Sequence, residues 1–496
     1  MDRRCFLRSL AVAPAAGLVN VPLLLTREAM AQQRGGGFGL PAADPFKPTD
    51  EVNSPMGVAK GIHPGRVVWV QDAKATSWDG TTGHWWDDAN TDQKVVHGMT
   101  SRMVRDLTGR KNDKQAWDAL FRSFNETRKL GHSGYRPGEQ IAIKINCNQD
   151  RAPEWGTPQV MPAGGPRGGG PAGAAPGAAR GGGDRGGGPP AGARGGGMPR
   201  GPLNGLPSPH AVVALVTQLI EAGGVRGEDI IIYDVTGGRN VGQPIFNRIR
   251  AISNPQFQKV KFLVGTDFDQ GGRISATPDM ANPIQFAKAD LKVAYLAQQV
   301  NAAKYLINMA LLRPHGMAGA TLIGKNHFGS VYFPNEGGGW SPRTLHNSVM
   351  RNQPMGSYNP LVDLMGHRQL GGKTFLYVLD GLYTAEQNEG NVFKWASFGD
   401  HWASSLMASQ DPVAIDSVGL DVLRGEPRAT QLRGNADNYL HEAAQADKPP
   451  SGTVYNPDKS GVLASLGVHE HWNNATDRKY SRNLGRKQGI ELIVSA

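Results

Sequence analysis

Cysteine is nearly absent: the 496 residues contain two, Cys5 and Cys147. Cys5 falls in a leading segment that reads as removable, which leaves a single thiol. One thiol excludes an intramolecular disulfide, a cysteine-held zinc site and an iron–sulfur cluster that needs four thiolates. Long apolar runs are scarce as well, and beyond the leader no stretch is apolar enough to span a membrane. There is no basic helix and no ladder of aromatic and basic residues. The net charge of +10 therefore does not outline a nucleic-acid surface. Most of the excess sits in two places. Four arginines face only Asp2 and Glu28 in residues 1–31, and five face only Asp184 in residues 163–203. The motifs HExxH and GxSxG are missing, as is GxGxxG after a strand.

What is present begins with Arg3-Arg4-Cys5-Phe6-Leu7-Arg8, a twin-arginine pattern. A weakly apolar stretch, Leu10 to Leu25, and a small-x-small site, Ala29-Met30-Ala31, follow it. Asp2 stands where Ser or Thr is usual, and Arg8 where Lys is usual. Residues 1–31 are expected to be an export signal for the twin-arginine machinery, cleaved near Ala31, which makes the mature protein periplasmic. A non-cleaved anchor is the alternative, although Pro14, Gly17, Asn20 and Pro22 interrupt the apolar run. This machinery exports folded proteins, often with a cofactor already inserted. Residues 32–59 read as an extended lead-in, 60–424 as an α/β domain, and 425–496 as a polar C-terminal extension. Residues 163–203, rich in Gly, Pro, Ala and Arg, contain almost nothing to bury and read as a disordered insert.

The fold class follows from hydrophobic period. Gln140 to Asn146 alternates, with Ile141, Ile143 and Ile145 on one side and Ala142, Lys144 and Asn146 on the other. Trp117, Leu120, Phe121 and Phe124 mark a helix within Lys114 to Leu130. Ser208 and Pro209 open another helix, with Ser208 as its expected cap. Apolar strands follow at Asp229 to Tyr233, Val260 to Val264, Tyr305 to Met309 and Lys373 to Leu379. Asp411 before Pro412 is the expected cap of a later helix. Helices alternating with wholly apolar strands predict an α/β fold with a largely parallel sheet, helices on both faces and long loop insertions.

In such sheets ligands gather beyond the carboxyl ends of strands. Reading each strand to its end gives Asn146, Asp234, Asn308 and Asp380. Arg313, His315, Lys325, Asn326, His327 and Gly329 follow the Tyr305 strand, and Lys144 precedes Asn146. Lys144 and Lys325 suit an anion, while His315 and His327 suit proton transfer or metal ligation. Asp234 and Asp380 are the metal candidates. Gly319-Ala-Thr-Leu-Ile-Gly324-Lys325 has the spacing of a phosphate loop, but Asn326 replaces the hydroxyl that binds Mg²⁺. His469-Glu470-His471 binds a metal if it is strand-like, since both rings then face one way.

These segments also carry a resemblance. AKYLINMALLRPHGMAGATLIGKNHFGSVY, with IAIKINCN, SPHAVVALVTQLIEAGG, VLDGLY and DPVAIDSVGLDVL in order, resembles the domain of unknown function 362 family. The likeness runs from about Arg66 to Arg424. It implies an α/β protein of unestablished activity. Many such proteins carry ferredoxin-type cysteines, which are missing here, and Arg313-Pro314-His315 stands in place of the usual Lys-Thr-His.

Two functional readings follow. One is an interior polar site for a small anionic molecule, a divalent metal or both, in an enzyme or a cofactor-dependent protein. The other is a non-catalytic envelope binding protein whose Trp-rich loops, Trp78 to Trp86 and Trp395 to Trp402, hold a glycan or a protein partner.

Overall fold

A computed structural model describes residues 50–147, 206–235, 242–265 and 272–288. From 291 onward it describes all but 292, 317, 335–339, 341–342, 350–352, 387–390, 430–431 and 433–434. The expected export signal and the Gly-rich insert lie outside the described residues.

Among the described residues, nine strands form one sheet: β1 Arg66–Gln71, β2 Ile141–Lys144, β3 Ile230–Asp234, β4 Lys261–Val264, β5 Ile274–Ser275, β6 Tyr305–Leu311, β7 Thr374–Gly381, β8 Ser405–Ser409 and β9 Glu491–Ser495. Their spatial order is β9-β1-β8-β7-β6-β2-β3-β4-β5. β8 is antiparallel to β7 and β1, and every other neighbouring pair is parallel.

Both faces are covered, which is why the central strands are apolar throughout. Ile141, Ile143, Ile230, Ile232 and Ile307 share one core. It packs under α1 (Gln93–Thr108), α2 (Asp113–Thr127), α3 (Pro209–Thr217) and α4 (Gln243–Ala251). Ala142, Ile231, Tyr233 and Leu306 lie in the core of the opposite face. That core is covered by α5 (Ile323–Asn326), α6 (Pro360–Gly366), α7 (Pro412–Arg424) and α8 (Asn438–Ala444).

Local chemistry sets the helix ends. Asp92 caps α1 through Lys94 N–H and Val95 N–H, and Gly109 closes it in the left-handed region at φ 65°. Asp411 caps α7 through the Val413 and Ala414 amides, as its place before Pro412 implies. Ser208 occupies the cap position of α3, but its side chain makes no cap bond. Its backbone N–H instead donates to Asp380 at 2.6 Å.

Residues 425–496, expected as an extension, contribute α8 and the edge strand β9, which pairs parallel to β1. Val468–His469 pairs antiparallel with Met56–Gly57 of the lead-in. The expected aromatic loops turn inward. Trp78, Trp85, Trp86, Trp395 and Trp402 are all buried, and Trp402 stacks on Trp78 at 5.6 Å. They complete the core rather than forming an exposed platform. Among the described residues no helix is long and apolar enough to cross a membrane.

Candidate functional site

The carboxyl ends of β2, β3 and β6 bring six of the expected residues together. Lys144 and Asp234 are buried, with Nζ to Oδ2 at 3.6 Å. Lys144 also donates to Asn326 Oδ1 at 3.1 Å and to the Ile145 carbonyl. Asn326 donates to Asn308 Oδ1 at 2.7 Å, and the Asn308 amide meets His327 Nε2 at 3.1 Å. Asp234 accepts the Cys147 N–H at 2.8 Å. Gly329 passes directly over the Lys144–Asp234 pair, and a Cβ at that position would overlap the ammonium and the carboxylate. Burial, with Lys144 nearby, lowers His327 to about 3, so its ring is neutral. Asn146, just beyond β2, is buried.

Arg313, His315 and Lys325 form the adjoining group. Arg313–His315 pairs as a short hairpin with Gly319–Thr321. Burial and then the Lys325, His346 and Arg313 charges hold His315 well below its ordinary pKa. Lys325 lies over the Phe328 ring, 3.5 Å from its centroid. The segment with phosphate-loop spacing is filled from within. The Asp416 carboxylate accepts the Ile323 and Gly324 amides at 2.8 and 2.9 Å, where such a loop would present them to phosphate.

Asp380 stands apart from these groups. Its oxygens accept the Ser208 and Leu382 amides at 2.6 and 3.0 Å, and burial raises its pKa to about 6. That is the arrangement of a turn-forming carboxylate. Asp234 is likewise engaged by Lys144 and Cys147.

Among the described residues, the group with ligand atoms near enough to share one ion is Asp50, His469 and His471. His469 and His471 are the two histidines of the His469-Glu470-His471 segment. Asp50 belongs to the lead-in and carried no signal in the sequence. The Nε2 atoms of His469 and His471 lie 3.6 and 3.7 Å from Asp50 Oδ2. These spacings are too long for hydrogen bonds. They are close to the roughly 3.3 Å between ligand atoms that each sit about 2.0–2.1 Å from a shared tetrahedral ion. Neither Nε2 has a hydrogen-bond partner among the described residues.

The opposite ring nitrogens are fixed by α7. Ser417 Oγ donates to the Val413 carbonyl at 2.7 Å, so at 2.8 Å it accepts the proton of His469 Nδ1. Asp421 accepts His471 Nδ1–H at 2.8 Å. Ser417 and Asp421 are four residues apart and therefore share a helix face. With Nδ1 carrying the proton in each ring, the Nε2 lone pairs point toward Asp50. His441 Nε2 donates to the same Asp50 oxygen at 2.6 Å.

The electrostatics favour the neutral, ligating form of His469 but push His471 toward its charged form. Asp50 is held below the usual carboxylate range by His469 when its Nε2 carries a proton, and by the His441 ring, which donates to it. Burial lowers His469 to about 4, so it is neutral. Burial also disfavours a charged His471, but Asp421 and Asp437 outweigh it and raise that pKa. Arg424 neutralises Asp437 through paired contacts of 2.9 and 2.5 Å.

No curated protein matches the chain. The candidate ligand group Asp50, His469 and His471 and its neighbour His441 lie outside residues 198–421, whereas Ser417, Asp421 and most of the strand-end cluster lie within them. Over that stretch, residues 198–421, the chain is similar to the family described as a domain of unknown function (DUF362).

Proposed function

We propose that this is an exported, metal-dependent protein that holds one divalent first-row transition ion between Asp50, His469 and His471. The observation that carries the reading is the approach of two Nε2 atoms to one Asp50 oxygen, with each Nδ1 fixed by α7. Two imidazoles, one carboxylate and no thiolate select a zinc-class or iron(II)-class ion over calcium or magnesium. Three protein ligands leave a further position for a substrate oxygen or a water, whose acidity the bound ion would raise. Asp421 and Ser417 hold the rings in their ligating tautomer, and His441 holds Asp50.

The strand-end cluster supports the second part of the reading, a small anionic molecule. Lys144, Lys325 and Arg313 supply positive charge there, and Asn146, Asn308, Asn326 and Gly329 shape the site. His315 and His327 are neutral rings whose lowered pKa values make them weak bases, so they suit hydrogen bonding to the ligand rather than proton transfer. Export to the periplasm rests on the twin-arginine pattern alone.

The test is metal add-back to chelator-stripped protein, followed by thermal unfolding. Zinc or iron(II) is expected to raise the unfolding temperature of the native sequence but not that of His469→Ala or His471→Ala. The metal reading fails if neither ion stabilises the native sequence, or if both variants respond as it does.

A further inference from the structure

At the opposite end of β7 from Asp380 lies a cavity of about 470 Å³. Thr374, Phe375 and Tyr377, from the first half of that strand, form part of its wall. This size suits a small organic molecule. Three cations line it: Lys60 just after the lead-in, Arg128 at the end of α2 and Arg368 after α6. The Lys60 and Arg128 side chains make no ion pair among the described residues, although the Arg128 guanidinium lies 5.8 Å from the centre of the Phe124 ring. One carboxylate lines the cavity, Asp458. It is already engaged by the Arg368 amide at 2.9 Å and by the Ser460 amide and hydroxyl. Its contact with the Arg368 side chain is a loose 4.0 Å. Phe124, Phe375 and Met365 give the same cavity an apolar wall.

We propose that this cavity binds a small organic anion, with a carboxylate or phosphate-ester head between Lys60, Arg128 and Arg368 and an apolar body against Phe124, Phe375 and Met365. The excess of cations over the single, satisfied carboxylate provides the attraction. The aromatic wall adds selectivity for an anion with a hydrophobic body over a bare inorganic ion. The site is independent of the metal reading, because none of the metal-binding residues lines it.

The experiment is calorimetric titration of the full chain with phenyl phosphate, benzoate and inorganic phosphate. Saturable one-to-one binding of phenyl phosphate or benzoate is expected, tighter than that of inorganic phosphate and weakened by added salt. Arg128→Ala and Lys60→Ala should each weaken it about tenfold, the equivalent of one lost charge-assisted contact. Lys60 is partly exposed and Arg128 is exposed, and unchanged unfolding temperatures would show that the variants are folded. His469→Ala should bind as the native chain does. The proposal is overturned if neither organic anion saturates the protein by about 10 mM. It is also overturned if the double variant Lys60→Ala/Arg128→Ala binds unchanged, or if inorganic phosphate binds as tightly as phenyl phosphate.

Discussion

The Asp421 carboxylate takes the Nδ1 proton of His471 at 2.8 Å while its other oxygen accepts Tyr480 O–H and Trp472 N–H at 2.9 and 3.0 Å. The carboxylate is therefore fixed before it fixes the imidazole. An orienting carboxylate of this kind raises the basicity of the ligand and sets its tautomer. Asp421→Asn should leave the fold intact and weaken metal binding by about 10- to 100-fold, measured by competition with a chelator of known affinity. An unchanged affinity would show that Asp421 serves only the packing of Tyr480 and Trp472.

Gly329 runs against the Lys144–Asp234 pair with no room for a methyl group. Gly329→Ala should force the pair apart and lower stability by about 1–3 kcal/mol, the usual range for overpacking a buried site. Chemical denaturation reads this directly. Gly80, where a Cβ meets nothing within 4 Å, is the paired control for space. Its positive φ of 96° still strains an alanine, so its loss measures backbone strain alone.

Asp416 binds the first two amides of α5 and the Tyr439 hydroxyl. Asp416→Ala would strand those buried amides and should lower stability by about 3 kcal/mol or more. Burial raises the Asp416 pKa to about 7, above its unfolded value near 4. A raised folded pKa means that this residue's favourable contribution is complete below about pH 4 and is lost as pH rises through 7. Asp416→Asn should flatten that part of the stability profile.

His327 has the opposite sign. Its folded pKa, lowered to about 3, lies below the unfolded value near 6.5. Its contribution is present above about pH 6.5 and is lost as pH falls toward 3. Unfolding measured from pH 7 to 4 should show His327→Gln losing less stability on acidification than the native chain.

The sheet was legible because its strands are apolar on both faces and end on polar residues. Ile141, Ile143 and Ile145 divide from Ala142 as their period requires. Reading strands to their ends pointed to Asn146 and Asn308, with Lys144, Asn326 and His327 near them in sequence, but did not give the contacts among these side chains. α1 was not anticipated, since its apolar positions fall among many polar ones, and β8 was hidden inside the approach to α7. The metal candidates were drawn to Asp234 and Asp380 because strand ends are the usual ligand positions. A sequence does not show that backbone amides already occupy Asp380, nor that Lys144 engages Asp234. His469-Glu470-His471 had the right spacing, but its third partner, Asp50, lies more than four hundred residues away in the numbering. The pairing of Met56–Gly57 with Val468–His469 and the Asn53 N–H bond to the His471 carbonyl join those segments.

The most direct measurement is elemental analysis, with native mass spectrometry, of protein purified after export in a bacterial host that has the twin-arginine machinery. The account predicts about one zinc- or iron-class ion per chain, lost in His469→Ala and in His471→Ala and retained in His315→Ala. A native chain with no stoichiometric metal, or one whose metal survives loss of both His469 and His471, would contradict it.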